Sequence, residues 1–304
     1  MTKSMFFRSL LTVCAALFMC SCAEKHNPAD DKPMHTIPEK EETAPPTDYT
    51  SEVKVMSFNV RYPASSDTGQ KAWSTRLPAV ISMLKEKQPD LLGVQECYYS
   101  QRADILKSFP TWKYYGVSRA SGKDTDSAAE TTSILYNASR FKVIDCGTFW
   151  LSETPDTPST GWGATIKRST TWILFEEIKT GKRFYHVNTH LDHASAQAQE
   201  EGAKLIRTRI TAMNKSNYPV VLTGDMNVAQ VSAACNNFQM KNARTTAKST
   251  DNGITCHGYG SKTQQIDHIF YEGFYVETFR TVIGQWNGLN YISDHSPVMA
   301  EFKF

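Results

Sequence analysis

Apolar and polar residues alternate with a period of two along V-K-V-M-S-F-N-V (53–60), the pattern of a strand with one face buried. The period then lengthens. Leu77, Val80, Ile81 and Leu84 fall three and four apart and predict a helix. D-L-L-G-V-Q-E (90–96) is a short apolar run ending in a carboxylate. T-S-I-L-Y (132–136), F-K-V-I-D (141–145), T-T-W-I-L-F-E-E-I (170–178) and F-Y-H-V-N-T-H (184–190) read as strands, with a hairpin turn at Thr180 and Gly181 between the last two. Ala203, Ile206, Ile210 and Met213 mark a second helix, and V-V-L (220–222) follows as a buried strand. Q-I-D-H-I-F-Y (265–271), Y-V-E-T-F-R-T-V-I (275–283) and V-M-A-E-F-K-F (298–304) close the chain. Many strands are neighbours in sequence and few helices separate them. Two stacked, largely antiparallel or mixed sheets with helices outside suit this better than a repeated βαβ unit.

The strand ends are chemically unusual. Asn59 follows M-S-F, Glu96 ends L-L-G-V-Q, and His190 ends F-Y-H-V-N-T. Asp225 and Asn227 follow V-V-L-T-G, Asp267 lies in Q-I-D-H-I-F, and Asp294 and His295 precede the last strand. Gly, Asp and Asn at one strand end make ordinary turns. Six strands ending in the same few polar types indicate side chains delivered to one place. Gly224 is expected to let the backbone turn sharply beneath Asp225 and Asn227.

In this order, S-F-N-V-R, G-V-Q-E, N-T-H-L-D-H, L-T-G-D-M-N, I-D-H-I-F and S-D-H-S-P-V resemble the endonuclease/exonuclease/phosphatase superfamily, across residues 53–304. W-x-x-R at 73–76 and T-x-H-G at 255–258 resemble a bacterial lipoprotein branch, which writes phenylalanine where this chain has Cys256. The resemblance implies an α/β, four-layered DNase I-like sandwich of two mixed sheets, with the site at one end between them. It also implies hydrolysis of a phosphodiester or phosphomonoester. Members cut DNA, RNA, phosphoinositides, sphingomyelin and small phosphate esters, so the substrate class stays open.

By the same resemblance, Glu96, Asp294 and the Asn59 amide would hold Mg²⁺ or Mn²⁺, and such hard oxygen donors suit those ions. Asp225 would orient and deprotonate the attacking water, and Asn227 would bind the phosphoryl group. His295 would pair with Asp267, whose carboxylate fixes the imidazole and raises its pKa. Whether Asp225 or His295 is the base stays open. His190 would be phosphate ligand or general acid, supported by Glu130, and Arg168 would reach phosphate. Asp192 and His193 lie near the site in sequence, and His257 near its rim. His186 shares a strand with His190 and reads as packing or surface. Cys97 is expected to point away from Glu96 and to be packing.

Composition adds the setting. Lys3 and Arg8 precede L-L-T-V-C-A-A-L-F-M, an apolar run too short to span a membrane. It ends M-C-S-C, so residues 1–22 resemble a lipoprotein signal with Cys22 as the lipidated residue. Residues 23–51 are rich in proline and charge and read as a flexible tether. The catalytic domain would be 52–304, lipid-anchored in the cell envelope outside the cytoplasm. Cleavage before Cys22 removes Lys3 and Arg8 from 33 basic residues, leaving 31 against 31 acids. That balance argues against a strongly nonspecific nuclease, which would need a basic surface. Nucleic acid remains a possible substrate, and no protein partner is implied. An exposed loop around Trp162 would suit an enzyme of lipid headgroups. Cys97, Cys146, Cys235 and Cys256 are either buried free thiols or up to two disulfides, with Cys235–Cys256 the first pairing to expect.

Overall fold

The computed structural model describes residues 51–304 apart from residue 128. The signal segment, Cys22 and the tether up to residue 50 lie outside the described residues. Among the described residues no helix is long and apolar enough to cross a membrane.

The strands are β1 (Glu52–Asn59), β2 (Leu91–Gln95), β3 (Cys97–Tyr98), β4 (Trp112–Tyr115), β5 (Glu130–Thr131), β6 (Ile134–Asn137) and β7 (Phe141–Trp150). They continue as β8 (Ser169–Glu177), β9 (Arg183–His190), β10 (Val220–Asp225), β11 (Lys241–Asn242), β12 (Asp267–Glu272), β13 (Tyr275–Thr281) and β14 (Val298–Lys303). Helices α1 (Trp73–Lys87), α2 (Tyr99–Lys107), α3 (Ala196–Met213), α4 (Ala233–Asn237) and α5 (Ala243–Thr246) complete the fold. One six-stranded sheet runs β13-β14-β1-β2-β6-β4, and a second runs β11-β12-β10-β9-β8-β7. Both are mixed: β1 pairs parallel with β2 and antiparallel with β14, and β10 pairs parallel with β9 and antiparallel with β12.

The layering follows from the period-two pattern. Val53 and Val55 face the second sheet and meet Phe184, Val221 and Tyr271 in a core between the sheets. Met56 and Phe58 face outward onto Val80, Met83 and Leu84 of α1. On the other side Val220 and Leu222 face outward onto Ala203, Ile206 and Ile210 of α3. The result is helix, sheet, sheet, helix: the four-layered sandwich. Each fully buried Leu, Val, Ile, Met or Phe contributes about 1.5–3 kcal/mol. The α3 start is capped by Ser195, whose Oγ accepts from Ala198 N at 3.2 Å.

The inner face changes character along its length. It is apolar at one end, with Val53, Phe184 and Val221. Its middle is a buried polar network. Gln95 Nε2 donates to Asn188 Oδ1 at 2.7 Å, Asn188 Nδ2 donates to Val94 O at 2.8 Å, and Thr223 Oγ1 donates to Asn188 Oδ1 at 3.0 Å. His186 Nε2 lies 2.9 Å from the Thr223 hydroxyl and the ring is fully buried, so of packing and surface the structure selects packing. At the far end the same face presents Asn59, His190, Asp225 and Asp267, all buried.

Two local expectations are corrected. Gly224 is not a sharp turn. It lies within β10, and a Cβ there would stand 2.5 Å from Thr189 O. The residue is small because β9 approaches closely. The Cys235–Cys256 bridge is not formed, and all four described cysteines are free thiols. Cys235 packs beneath α3 beside Phe238, whereas Cys256 pairs with His295 on the site wall. Cys97 is fully buried, as expected, and burial pushes its thiol pKa up to about 12.

Candidate active site

Strand register places three side chains side by side. Asp225 at the end of β10 stands opposite His190 on β9 and opposite Asp267 on β12. His190 Nε2 lies 3.6 Å from Asp225 Oδ2. His295 Nε2 lies 3.8 Å from the same oxygen, and His295 Nδ1 bonds Asp267 Oδ2 at 2.8 Å. From the first sheet, Asn59 Nδ2 donates across the interface to Asp225 Oδ2 at 3.0 Å and to Glu96 Oε1 at 3.1 Å. The structure therefore brings together Asn59, Glu96, His190, Asp225, Asp267 and His295, residues from both sheets. Asp294 adjoins His295, and Ser293 Oγ ties this segment to Asn59 O at 2.7 Å.

Three rim residues hold left-handed backbone without being glycine: Arg61 (φ 58°), Glu96 (φ 55°) and Asn227 (φ 54°). Each lies just past the end of a strand that feeds the site. Asparagine tolerates this conformation, whereas arginine and glutamate adopt it at a cost. The backbone is held by site contacts. Asn227 N donates to Asp225 Oδ1 at 2.9 Å and its Nδ2 donates to Leu191 O at 3.0 Å. Glu96 Oε2 accepts from Tyr62 N at 3.2 Å.

The electrostatics separate the two histidines. Burial, then the nearby Arg168 and Arg119, hold His190 well below the ordinary imidazole range, so it is neutral. Burial also works against charge on His295, but Asp267 and Asp225 outweigh it and hold its pKa well above that range. The Cys256 thiol adds a hydrogen bond. Asp225 is pushed up to about 7, first by burial and then by Asp267, against the pull of His295, the Asn59 amide and the Asn227 N–H.

The structure does not bring Glu130 to His190, and it places Arg168 beside His190 and Glu96. Both Glu130 oxygens are taken by Arg119, through Nη2 and Nη1 at 2.7 Å each. His190 Nδ1 is buried without a partner, so the Glu130–His190 contact is absent here. Arg168 is buried, with Nη2 3.2 Å from His193 Nδ1 and Nε 4.0 Å from Asp192 Oδ2. It lines a small space with Glu96, Arg119, Glu130 and His190. Asp192 is structural, its Oδ1 accepting from Ala194 N and Ser195 N at 2.9 and 2.7 Å.

Sequence reasoning missed two arginines at the site. Arg61, within S-F-N-V-R, approaches Asp294 at 3.9 Å and pairs with Asp67 at 3.0 Å. Arg119 sits in a polar loop with no distinguishing pattern. Trp162 is half-buried against the α3 cluster, so it is not the free aromatic that a bilayer-approach loop would need.

Among the described residues, Asp225, Asp267 and His295 form a group crowded enough to hold a cation. Hydrogen bonding argues for a dyad instead, because His295 Nδ1 is already committed to Asp267. Glu96, Asn59 and Asp294 are the alternative donors. All three offer oxygen, Glu96 and Asp294 are partly exposed, and Ser293 and the Asn59 amide link them. That donor chemistry fits a hard divalent ion.

The buried histidines make one stability prediction. Burial lowers the His186 pKa to about 3, against 6.5 for the free side chain. The unfolded chain therefore gains a proton at this residue as pH falls below 6.5, and the folded chain does not until about pH 3. Stability is lost on acidification through that window. His186→Gln removes this penalty, so its stability deficit against the wild type should shrink by about 1.4 kcal/mol per pH unit from pH 6 to 4. Urea unfolding at several pH values measures it. A constant deficit would show that His186 is protonated in the fold.

Two sheets whose facing strand ends join an Asp–His dyad, a second aspartate, an amide and a buried histidine define a phosphoesterase of the DNase I-like class. The chain belongs to the endonuclease/exonuclease/phosphatase family, whose profile matches residues 56–295. It is similar to a mannosyl-6-phosphatase of Bacteroides thetaiotaomicron VPI-5482, with 31% identity over 83% of this chain and 100% of that one, at a TM-score of 0.78. An endonuclease/exonuclease/phosphatase of Bacteroides vulgatus is 32% identical over 83% and 98%, with a TM-score of 0.77. An uncharacterized protein of Acanthamoeba polyphaga mimivirus is 24% identical over 76% of this chain and 92% of its own length. The catalytic domain of human Nocturnin shares the fold at 17% identity, covering 83% of this chain and 94% of that one, with a TM-score of 0.65.

Proposed function

We propose that this phosphoesterase is a Mg²⁺- or Mn²⁺-dependent phosphomonoesterase of small sugar phosphates, held outside the cytoplasm by a lipid on Cys22. The observation that carries the chemistry is the cross-sheet convergence on Asp225 Oδ2 of the Asn59 amide, His190 and His295. Similarity along the whole length of a mannosyl-6-phosphatase supports the sugar monoester. The segment ending at Cys22 supports the anchor.

Asp225 takes the proton of the attacking water. Its carboxylate is aimed by Asn227 N and Asn59 Nδ2, and a pKa near 7 lets it exchange a proton at neutral pH. His295, kept charged by Asp267, holds its proton on Nε2 for the departing ester oxygen. His190, neutral, contacts the phosphoryl group without contributing charge. Asn227 steadies a phosphoryl oxygen. Glu96, Asn59 and Asp294 would hold the cation, which when bound neutralises charge on a phosphate oxygen.

Phosphate release tests the reading. Membrane and soluble fractions of cells making the full chain, or its Cys22→Ser variant, would be assayed on mannose 6-phosphate, bis-p-nitrophenyl phosphate and plasmid DNA. Each assay is run with Mg²⁺ and with chelator. The expected result is chelator-sensitive release from the monoester, in the membrane fraction, moved to the soluble fraction by Cys22→Ser. Activity confined to diesters or DNA would replace the monoester reading, and unchanged activity in chelator would remove the cation.

A further inference from the structure

The mechanism above leaves one wall of the site unused. A cavity of about 140 Å³ lies against His295, lined by His257, Ile283, Trp286, Asn290 and Tyr291 among others. It opens to solvent, with Tyr291 40% and Ile283 68% exposed. The His257 and Tyr291 rings stack with centroids 4.5 Å apart and planes 29° apart. Tyr259 stands edge-on to Tyr291 at 6.4 Å, and Lys71 Nζ lies 4.8 Å above the Tyr259 ring. The stacked pair presents one open ring face as a shelf, Tyr291 backed by His257, next to the imidazole that faces the leaving group.

Backbone bonds fix the shelf to the catalytic segment. His257 N and Gly258 N both donate to Asp294 O, at 3.1 and 2.9 Å, and Ser296 N donates to Thr255 O at 2.7 Å. Thr255 Oγ1 accepts from Ile266 N and Asp267 N at 2.9 and 3.0 Å. The T-x-H-G segment is therefore bonded to both members of the Asp267–His295 dyad. The tautomer of His257 is fixed too. Its Nδ1 accepts from Tyr259 N at 3.1 Å, so the neutral ring carries its proton on Nε2. A hydrogen bond to the His295 backbone engages the ring as well.

We propose that this wall is the subsite for the leaving group and that it takes a hexopyranose ring. One apolar C–H face would lie on the open face of Tyr291, and ring hydroxyls would meet the Asn290 amide. The assignment rests on the sugar phosphomonoesterase reading above. An exposed aromatic face matches the apolar face of a sugar, while the amide at its margin matches hydroxyls.

The test is binding, kept apart from turnover. The full chain carrying Asp225→Asn, with Mg²⁺ present, would be titrated calorimetrically with mannose 6-phosphate, methyl phosphate and adenosine monophosphate. Mannose 6-phosphate should bind about tenfold more tightly than methyl phosphate, the scale of one good ring contact. Adding Tyr291→Ala should bring the two affinities together, and Tyr291→Phe should keep them apart. Circular dichroism melting of each variant checks the fold. Equal affinities in the parent, binding of neither ester, or a preference that survives Tyr291→Ala would overturn the subsite. Preference for the nucleotide would overturn the sugar assignment. If the sugar ester binds as expected but the wild type releases no phosphate from it, the subsite stands and the monoesterase reading falls.

Discussion

Asp225→Asn is expected to lower kcat about 10³-fold while leaving the melting temperature unchanged or higher. The rate loss follows from removing the proton acceptor, since a positioned acid or base contributes roughly 10²–10⁴-fold. The stability expectation comes from the same carboxylate. Asp225 is buried, and burial and Asp267 both work against its ionisation. A neutral amide of the same shape relieves both, at a position selected for chemistry and not for stability. Its oxygen can still accept from Asn227 N, but the bond from Asn59 Nδ2 is lost, a cost that relief of the buried charge is expected to offset. Steady-state phosphate release and a thermal melt on the same sample decide the matter. A variant keeping more than about a tenth of the wild-type rate would remove Asp225 from the proton transfer.

The second large effect is expected far from any reacting atom. Arg76 is fully buried in α1, and its guanidinium donates to four backbone carbonyls. These are Lys71 O at 2.7 Å, Val60 O at 2.7 Å, Ile292 O at 3.0 Å and Arg61 O at 3.1 Å. Two follow Asn59 and one precedes Asp294, so Arg76 fastens together the segments bearing two of the three proposed cation donors. Arg76→Met keeps the volume and strands three of those carbonyls, since Arg61 O still accepts from Gln101 Nε2 at 2.8 Å. Each buried unsatisfied group costs about 1–3 kcal/mol, so a total of about 3–5 kcal/mol is expected, allowing for water entry and relaxation. The melting temperature should fall by about 10 °C. Cation affinity, followed by the Mg²⁺ dependence of the melt, should weaken alongside it. A Met variant melting within about 2 °C of the wild type would show that water replaces the guanidinium at little cost.

Much of this architecture was legible because the period-two runs are strong. All ten strands read from alternation and apolar runs are present, and both helices are where their apolar spacing put them. The first two turns of α3 were not visible, since they bury Ala198, Gln199 and Gly202. Helix α2 was missed for a related reason: its buried face is Gln101, Arg102 and Ile105, so charge stands where apolar periodicity was sought. Edge strand β4, Trp112–Tyr115, has no alternation because none of its residues is fully buried. The row of Asn59, His190, Asp225 and Asp267 was legible as strand ends. The pairing of Glu130 with Arg119 was not, because two residues of one polar loop carry no signal of their distance. Gly224 shows the limit of composition: a glycine between Thr and Asp reads as a turn, and only the neighbouring strand reveals a close approach.

The polar middle of the sheet interface has an evolutionary consequence. Oil-like contacts alone would let two sheets settle in several offsets, whereas amides and hydroxyls bond in one. Gln95, Asn188 and Thr223 act as an index mark between the halves, and Gly93 leaves no room to shift, since a methyl there would overlap the Thr223 hydroxyl at 2.2 Å. The catalytic row is thereby aligned by the sheets themselves and not by the loops. Lineages could then rewrite the loops, and with them the substrates, many times over without realigning the chemistry. A change at the index mark itself would have to be matched on the opposite sheet in the same step.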